Sequence, residues 1–250
     1  SSTTDDNFCH MTSDVITGSC TTQNGINSEG QSYTYQQCSY GTAYEVCGPR
    51  TISETWYGCV GSREYPYNLE DRSFSARPVP GIMNTTCSAE LTTLTDVKST
   101  VLNKIDAMTG DNNTYIPAGL TWGMRLLSNS APFTDGVSQQ TAKKKDIKKY
   151  LVLMTDGDNT ISAQLPGSPK HWGSDTAEAN LWTSEVCQNI KAEEITVFTI
   201  TFGTLLPETK TLIQSCASDP TNYFHAATGT ELNAAFEGIR EQMAALHLSR

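Results

Sequence analysis

Residues 150–160, with the sequence YLVLMTDGDNT, constrain the fold of this chain more than any other stretch. Uncharged, mostly apolar residues lead directly into Asp156, Gly157 and a second carboxylate. An apolar run of this length predicts a strand buried on both faces, as in parallel sheets. Ligands of open α/β sheets bind just beyond the carboxyl ends of the strands, which is where Asp156 stands. A simple Asp-Gly turn after a core strand is the other interpretation of the same residues.

The sequence after this stretch alternates between strand and helix patterns. Residues 195–202 (ITVFTITF) predict a second buried strand, and residues 222–226 a shorter third one. Asp175 begins a capping pattern for a helix that runs to about Ala192, and Thr230 is suited to cap a final helix. Alternating strands and helices predict an α/β fold with a mostly parallel sheet flanked by helices.

Two further helices are predicted before the apolar run. Pro117 suits the first turn of one of them. Thr95 is placed to cap the other, whose apolar residues recur at helical spacing. These are Val97, Val101, Ile105 and Met108.

The first third of the chain has a different character. Residues 1–91 are rich in Ser, Thr, Asn, Gly and Tyr, with turn signals such as Asn24-Gly25. We therefore predict two regions: a cysteine-rich, loop and hairpin subdomain over 1–91, and an α/β domain over 92–250.

The eight cysteines are even in number and have no Cys-x-x-Cys spacing, which disfavours a zinc or redox motif. Their scatter in an acidic chain predicts disulfides formed in an oxidising compartment. Proximity in sequence favours Cys59–Cys87 and Cys187–Cys216. The pairing of the remaining four stays open: Cys9, Cys20, Cys38 and Cys47.

Composition and motifs exclude several functional classes. The formal net charge of -10 and a pI of about 4.8 disfavour nucleic-acid binding. No apolar run approaches the length that spans a bilayer, so we expect any membrane anchor to lie upstream of Ser1. The sequence has no P-loop, nucleophile elbow or dinucleotide fingerprint, and its four histidines are scattered. We therefore expect a protein that is not an enzyme.

A cation site is the chemical alternative that the sequence supports. Asp156 at a strand end and Thr114 near a helix start are expected to approach each other over the edge of the sheet. Carboxylate, hydroxyl and water oxygens are the ligands that Mg²⁺ and similar divalent cations prefer. These two side chains would supply part of such a coordination shell.

Residues 92–248 resemble a von Willebrand factor A domain. Four motifs in the family's order carry the resemblance: G110…TYIPAGLTWG, YLVLMTDG, VFTITFG and YFHAA…LNAAF. Within that superfamily the chain is most similar to TadG-type proteins of bacterial Tad (Flp) pilus systems, which carry a Cys-containing insertion like Trp56-Tyr-Gly-Cys-Val60. The resemblance over 1–90 is loose.

The resemblance implies a metal-ion-dependent adhesion site built from three loops, with Thr114 on the second and Asp156 on the third. The first loop, Asp-x-Ser-x-Ser after the central strand, has no counterpart in this chain. Residues 14–19 contain some of its letters, but they lack its spacing and a preceding apolar strand. Either the first strand and loop lie upstream, or the metal site is lost in a variant.

The family also implies a function. We expect a non-enzymatic, periplasmic or extracellular adhesion module of a pilus system, binding a protein partner such as a pilus subunit or a host-surface ligand. A metal-free structural or assembly subunit is the alternative.

Overall fold

The computed structural model describes residues 2–13, 19–26, 32–87, 90–110 and 113–248. Backbone contacts divide the chain into two compact units, Ser1–Thr55 and Trp56–Arg250. The change in sequence composition falls later, at residue 91. The segment 56–91 therefore has the composition of the first third of the chain but belongs to the larger compact unit.

The smaller unit consists of two antiparallel strand pairs. Strand β1 (Ser2–Thr12) pairs with β4 (Tyr44–Ser53), and β2 (Thr21–Ile26) pairs with β3 (Ser32–Gln37). The expected hairpin character of this region is therefore present. The residues 14–18, which contain most of the Asp14-to-Ser19 pattern, lie outside the described part of the chain.

The larger unit is built on a parallel sheet in the order β5-β6-β7. The strands are β5 (Lys149–Thr155), β6 (Ile195–Phe202) and β7 (Tyr223–Ala226). Both apolar runs thus form neighbouring strands, with Leu151 opposite Val197 in the register. The prediction of burial on both faces is wrong for β5, where Val152 and Met154 are 39% and 42% exposed on one face. The final helix, which covers this face of the sheet, packs on β6 and β7. The described chain is a mixed α/β protein with helices around a parallel sheet, as the alternation predicted.

Within the described residues, six α-helices accompany the sheet, and four of them pack on it. They are α1 (Lys98–Asp106), α2 (Ile116–Leu126), α3 (Gln139–Lys145), α4 (Thr176–Ala192), α5 (Pro207–Cys216) and α6 (Gly229–Leu248). Because strand side chains alternate between faces, Val197 packs among buried residues of α2, α4 and α5, whereas Phe198 and Ile200 pack on α6. This layering covers both faces of β6.

Helix α1 differs from its expected setting. It begins at Lys98 after Val97, and Thr95 Oγ1 accepts a hydrogen bond from the Val97 N–H instead of capping the helix. The expected apolar face exists, but no residue of α1 is buried, and Met108 just beyond it is 67% exposed. Helical periodicity therefore predicted the helix correctly, but it did not show whether another element packs on its apolar face.

Of the two other predicted caps, Asp175 is confirmed and Thr230 is wrong. Asp175 Oδ1 accepts from the Glu178 N–H at 2.9 Å, and α4 ends at Ala192. The final helix begins at Gly229, one residue before Thr230, and Thr228 Oγ1 accepts the N–H of Glu231. Thr230 is therefore inside the helix and not its cap.

Three disulfides are present among the described side chains: Cys20–Cys38, Cys59–Cys87 and Cys187–Cys216. The last two are the pairs that proximity in sequence predicted. Cys47 is also disulfide-bonded, and in the backbone register of β1 and β4 it lies opposite Cys9. Disulfides in this number indicate an oxidising, extracytoplasmic environment. Within the described residues, no helix is both long and apolar enough to cross a membrane.

Candidate functional site

The loop after β5 lies against the residue that precedes α2. The Thr114 N–H donates to Thr160 Oγ1 at 2.7 Å, and the Thr114 carbonyl accepts from the Thr160 N–H at 3.0 Å. A methyl group placed on Gly157 would lie 3.1 Å from Thr114 Oγ1. The Thr114 hydroxyl therefore stands beside the turn that begins at Asp156, so the expected approach of these two segments is present.

Asn159 holds the loop after β5 against the start of α2 through hydrogen bonds of its side chain. Its side chain is buried, and its Oδ1 accepts the Ile116 N–H, one of the donors at the start of α2 that has no partner within the helix. Its Nδ2 donates to Asn180 Oδ1 at 2.9 Å and to Thr183 Oγ1 at 3.1 Å, both on α4. One amide side chain therefore ties the loop after β5 to two helices.

The carboxylates of this loop differ in their contacts. Asp158 Oδ1 accepts the Leu206 N–H at 3.2 Å, just before α5. The exposed Asp156 has no hydrogen bond or ion pair within the described residues. Its carboxylate is thus exposed to solvent just after the carboxyl end of β5, next to Gly157 in the chain.

This donor set fits a hard cation only in part. Thr114 and Asp156 offer oxygen ligands of the right type, and water can fill further positions. The described residues contain no cluster of three or more His, Cys, Asp or Glu side chains that could hold a metal. On the β5 side of the sheet, no described strand follows.

A second polar cluster was not foreseen from the sequence. Ser62 Oγ and His171 Nε2 lie 2.7 Å apart, although 109 positions separate them in the chain. The ring of His171 packs on Tyr115 with 4.5 Å between ring centroids. Burial lowers the pKa of His171, so its ring is neutral at pH 7. Tyr115 directly follows Thr114, and this connects the cluster to the loop site.

The Ser62–His171 pair is not a complete nucleophilic centre. A catalytic serine needs a base whose other ring nitrogen is oriented by a third group, commonly a carboxylate. No described carboxylate bonds to His171. The geometry therefore explains how the loop around His171 is held in place, and it supplies no argument for acyl transfer.

Two cavities adjoin these elements in the larger unit. One of about 390 Å³ is lined by Ser62 and by two arginines, Arg63 and Arg77. Another of about 780 Å³ has mainly apolar walls that include Trp56, Trp122 and Phe133. Within its lining, the Trp56 Nε1–H already donates to the Cys59 carbonyl at 2.6 Å.

Comparisons with known proteins add little to this description. The sequence matches no protein-family profile and no curated protein. Among solved structures, the chain is similar to proximal thread matrix protein 1 from the mussel byssus, at 16% identity and a TM-score of 0.25. That match covers 48% of this chain and 27% of the mussel chain, so this chain aligns with about a quarter of that protein.

Proposed function

We propose that this protein is a non-enzymatic binding module of the von Willebrand factor A type, acting at the bacterial surface in pilus assembly or adhesion. The observation that carries the proposal is the contact between Thr114 and the loop that begins at Asp156. Thr114 Oγ1 lies beside Gly157, the residue that follows Asp156 at the carboxyl end of a parallel strand.

The proposed site binds a divalent cation such as Mg²⁺ or Mn²⁺ through Asp156 and Thr114, directly or through water. A cation held by few protein ligands keeps open positions, and an acidic group of a protein partner can occupy one of them. A pilus subunit or a surface ligand would bind in this way without any chemical reaction.

Calorimetric titration of Mg²⁺ and Mn²⁺ into the protein tests the site. We expect saturable binding in the parent protein and loss of binding in Asp156→Ala. Asp135→Ala removes an exposed carboxylate from another loop and serves as the matched control, which should bind like the parent. Equal affinity in the two variants would refute a cation site at Asp156.

A metal-free structural or assembly subunit is the second candidate. The missing first loop favours it, because that loop supplies several ligands in the family that the sequence resembles. Under this alternative, neither metal binds at millimolar concentration, and Thr114 and Asp156 serve only as turn and capping residues.

A further inference from the structure

The cleft of about 390 Å³ beside Ser62 is lined by a buried arginine, two of whose nitrogen atoms have no partner in the described part of the chain. The side chain of Arg63 lines the cleft and only 5% of the residue is exposed. Its Nε and Nη1 atoms are buried and have no hydrogen-bond partner among the described residues. A buried charged donor without a partner costs free energy, because it has lost water and gained nothing in return.

The charges around Arg63 do not compensate for its missing hydrogen bonds. Burial lowers the pKa of Arg63, and Asp71 opposes the effect through its charge. A second buried arginine, Arg125, lies close enough for the charge of Arg63 to lower its pKa, which burial and this repulsion bring to about 10. The carboxylate of Asp71 thus acts on two guanidinium groups, Arg63 and Arg125, and one negative charge does not balance these two positive charges.

A third guanidinium group is held at the wall of the cleft. The Arg77 guanidinium lies 4.2 Å from the centroid of the Tyr67 ring, and its Nη2 donates to Tyr67 Oη at 3.1 Å. Stacking and hydrogen bonding hold the group in one orientation, which reduces the entropy lost when it binds a ligand. Glu64 is the one acidic residue among those that line the cleft, so the lining carries a net charge of about +1.

We propose that this cleft binds an organic carboxylate, whose oxygens accept hydrogen bonds from Arg77 and lie beside the buried positive charge of Arg63. A planar carboxylate matches the forked donors of a guanidinium group, and it balances a lining charge of about +1. A doubly charged phosphate would exceed that charge in a protein whose net charge is already -10.

The size and walls of the cleft define the rest of the ligand. A volume of about 390 Å³ is many times the share of one water molecule, about 30 Å³. Pro78, Pro80 and Leu165 contribute apolar wall, so the carboxylate is expected to carry an apolar body. A free small carboxylic acid and the carboxyl end of a polypeptide both present this chemistry.

Titration of the intact protein with phenylpropionate tests the proposal, after divalent metal has been removed from protein and buffer on a chelating resin, which makes the test independent of the cation site. We expect saturable binding of phenylpropionate and no binding of its uncharged amide. Arg77→Gln should weaken binding about tenfold, as expected for loss of one charge-assisted contact. Arg72→Gln is the matched control, because Arg72 is exposed, pairs with Glu70 and does not line the cleft.

Arg63→Gln provides a second test at the buried donor. Its folding is checked by the free energy of unfolding, and we expect binding to be lost in a folded variant. Short peptides ending in Leu with a free or an amidated carboxyl end distinguish a polypeptide end from a free acid as the source. Absence of saturable binding, equal effects of Arg77→Gln and Arg72→Gln, or preference for inorganic phosphate would overturn the proposal.

Discussion

Asn159 Oδ1 accepts the backbone N–H of Ile116 at 2.8 Å, so a side chain from the loop after β5 caps the start of α2. Removing a buried acceptor leaves the N–H without a partner, and the two bonds from Nδ2 are lost as well. We expect Asn159→Ala to lower the free energy of unfolding by about 2–3 kcal/mol, measured by urea denaturation.

Asn233→Ala on the exposed side of α6 is the matched control for this change and should alter stability by less than about 0.5 kcal/mol. If Asn159→Ala were as harmless, the hydrogen bonds of Asn159 would not be what ties Thr114 to the loop that begins at Asp156.

The Cys187–Cys216 disulfide joins α4 to α5 within the core on one face of the sheet. It closes a loop with a sequence separation of 29, and both cysteines are buried. Chain-entropy arguments for a loop of this length predict a loss of about 3–4 kcal/mol in the double variant Cys187→Ala/Cys216→Ala. Chemical denaturation of this variant, with Gln188→Ala on the exposed face of α4 as control, measures the effect. A loss similar to that of the control would contradict the prediction.

Sequence periodicity was sufficient to predict the regular strands and helices of the larger unit. The apolar runs gave β5 and β6, and the Asp175 pattern gave the start of α4, because each depends on residues close together in the chain. Placing Thr114 near Asp156 also followed from a general property of parallel sheets, in which strand ends and helix starts meet at one edge.

The remaining features depend on contacts that no local pattern encodes. Ser62 and Arg63 lie in a segment without periodicity, and only the folded chain brings Ser62 to His171 and buries Arg63. Likewise, the spacing of Val101 and Ile105 predicts an apolar helix face but cannot show whether another element covers it. In the described structure both side chains are exposed.

The hydroxyl of Tyr115 is buried without a hydrogen-bond partner among the described residues, and burial raises the pKa of this phenol well above its usual value. Replacing the group by hydrogen removes a desolvated polar atom and keeps the ring contact with His171. We therefore expect Tyr115→Phe to leave the free energy of unfolding unchanged or to raise it by about 1 kcal/mol. A loss above about 1 kcal/mol in urea denaturation would show that the hydroxyl has a partner in solution.

Burial of His171 predicts that stability depends on pH. The pKa of His171 in the folded protein is below the ordinary value of 6.5, so the unfolded chain binds a proton that the folded protein rejects. The contribution of neutral His171 to the free energy of unfolding is fully present above about pH 6.5. It is lost progressively as the pH decreases from there toward the lower pKa of the folded protein. Denaturation midpoints measured between about pH 5 and 8 should show this decline.

The variant His171→Phe isolates the effect of this histidine, because phenylalanine keeps a ring against Tyr115 but cannot take up a proton. It loses the bond to Ser62 Oγ, so we expect lower stability at neutral pH. The decline below about pH 6.5 should become shallower than in the parent protein, because the proton-linked contribution of this ring is gone. If the parent and the variant lose stability with the same slope, then His171 is protonated in the folded protein as readily as in the unfolded chain, and its burial does not control the response to acid.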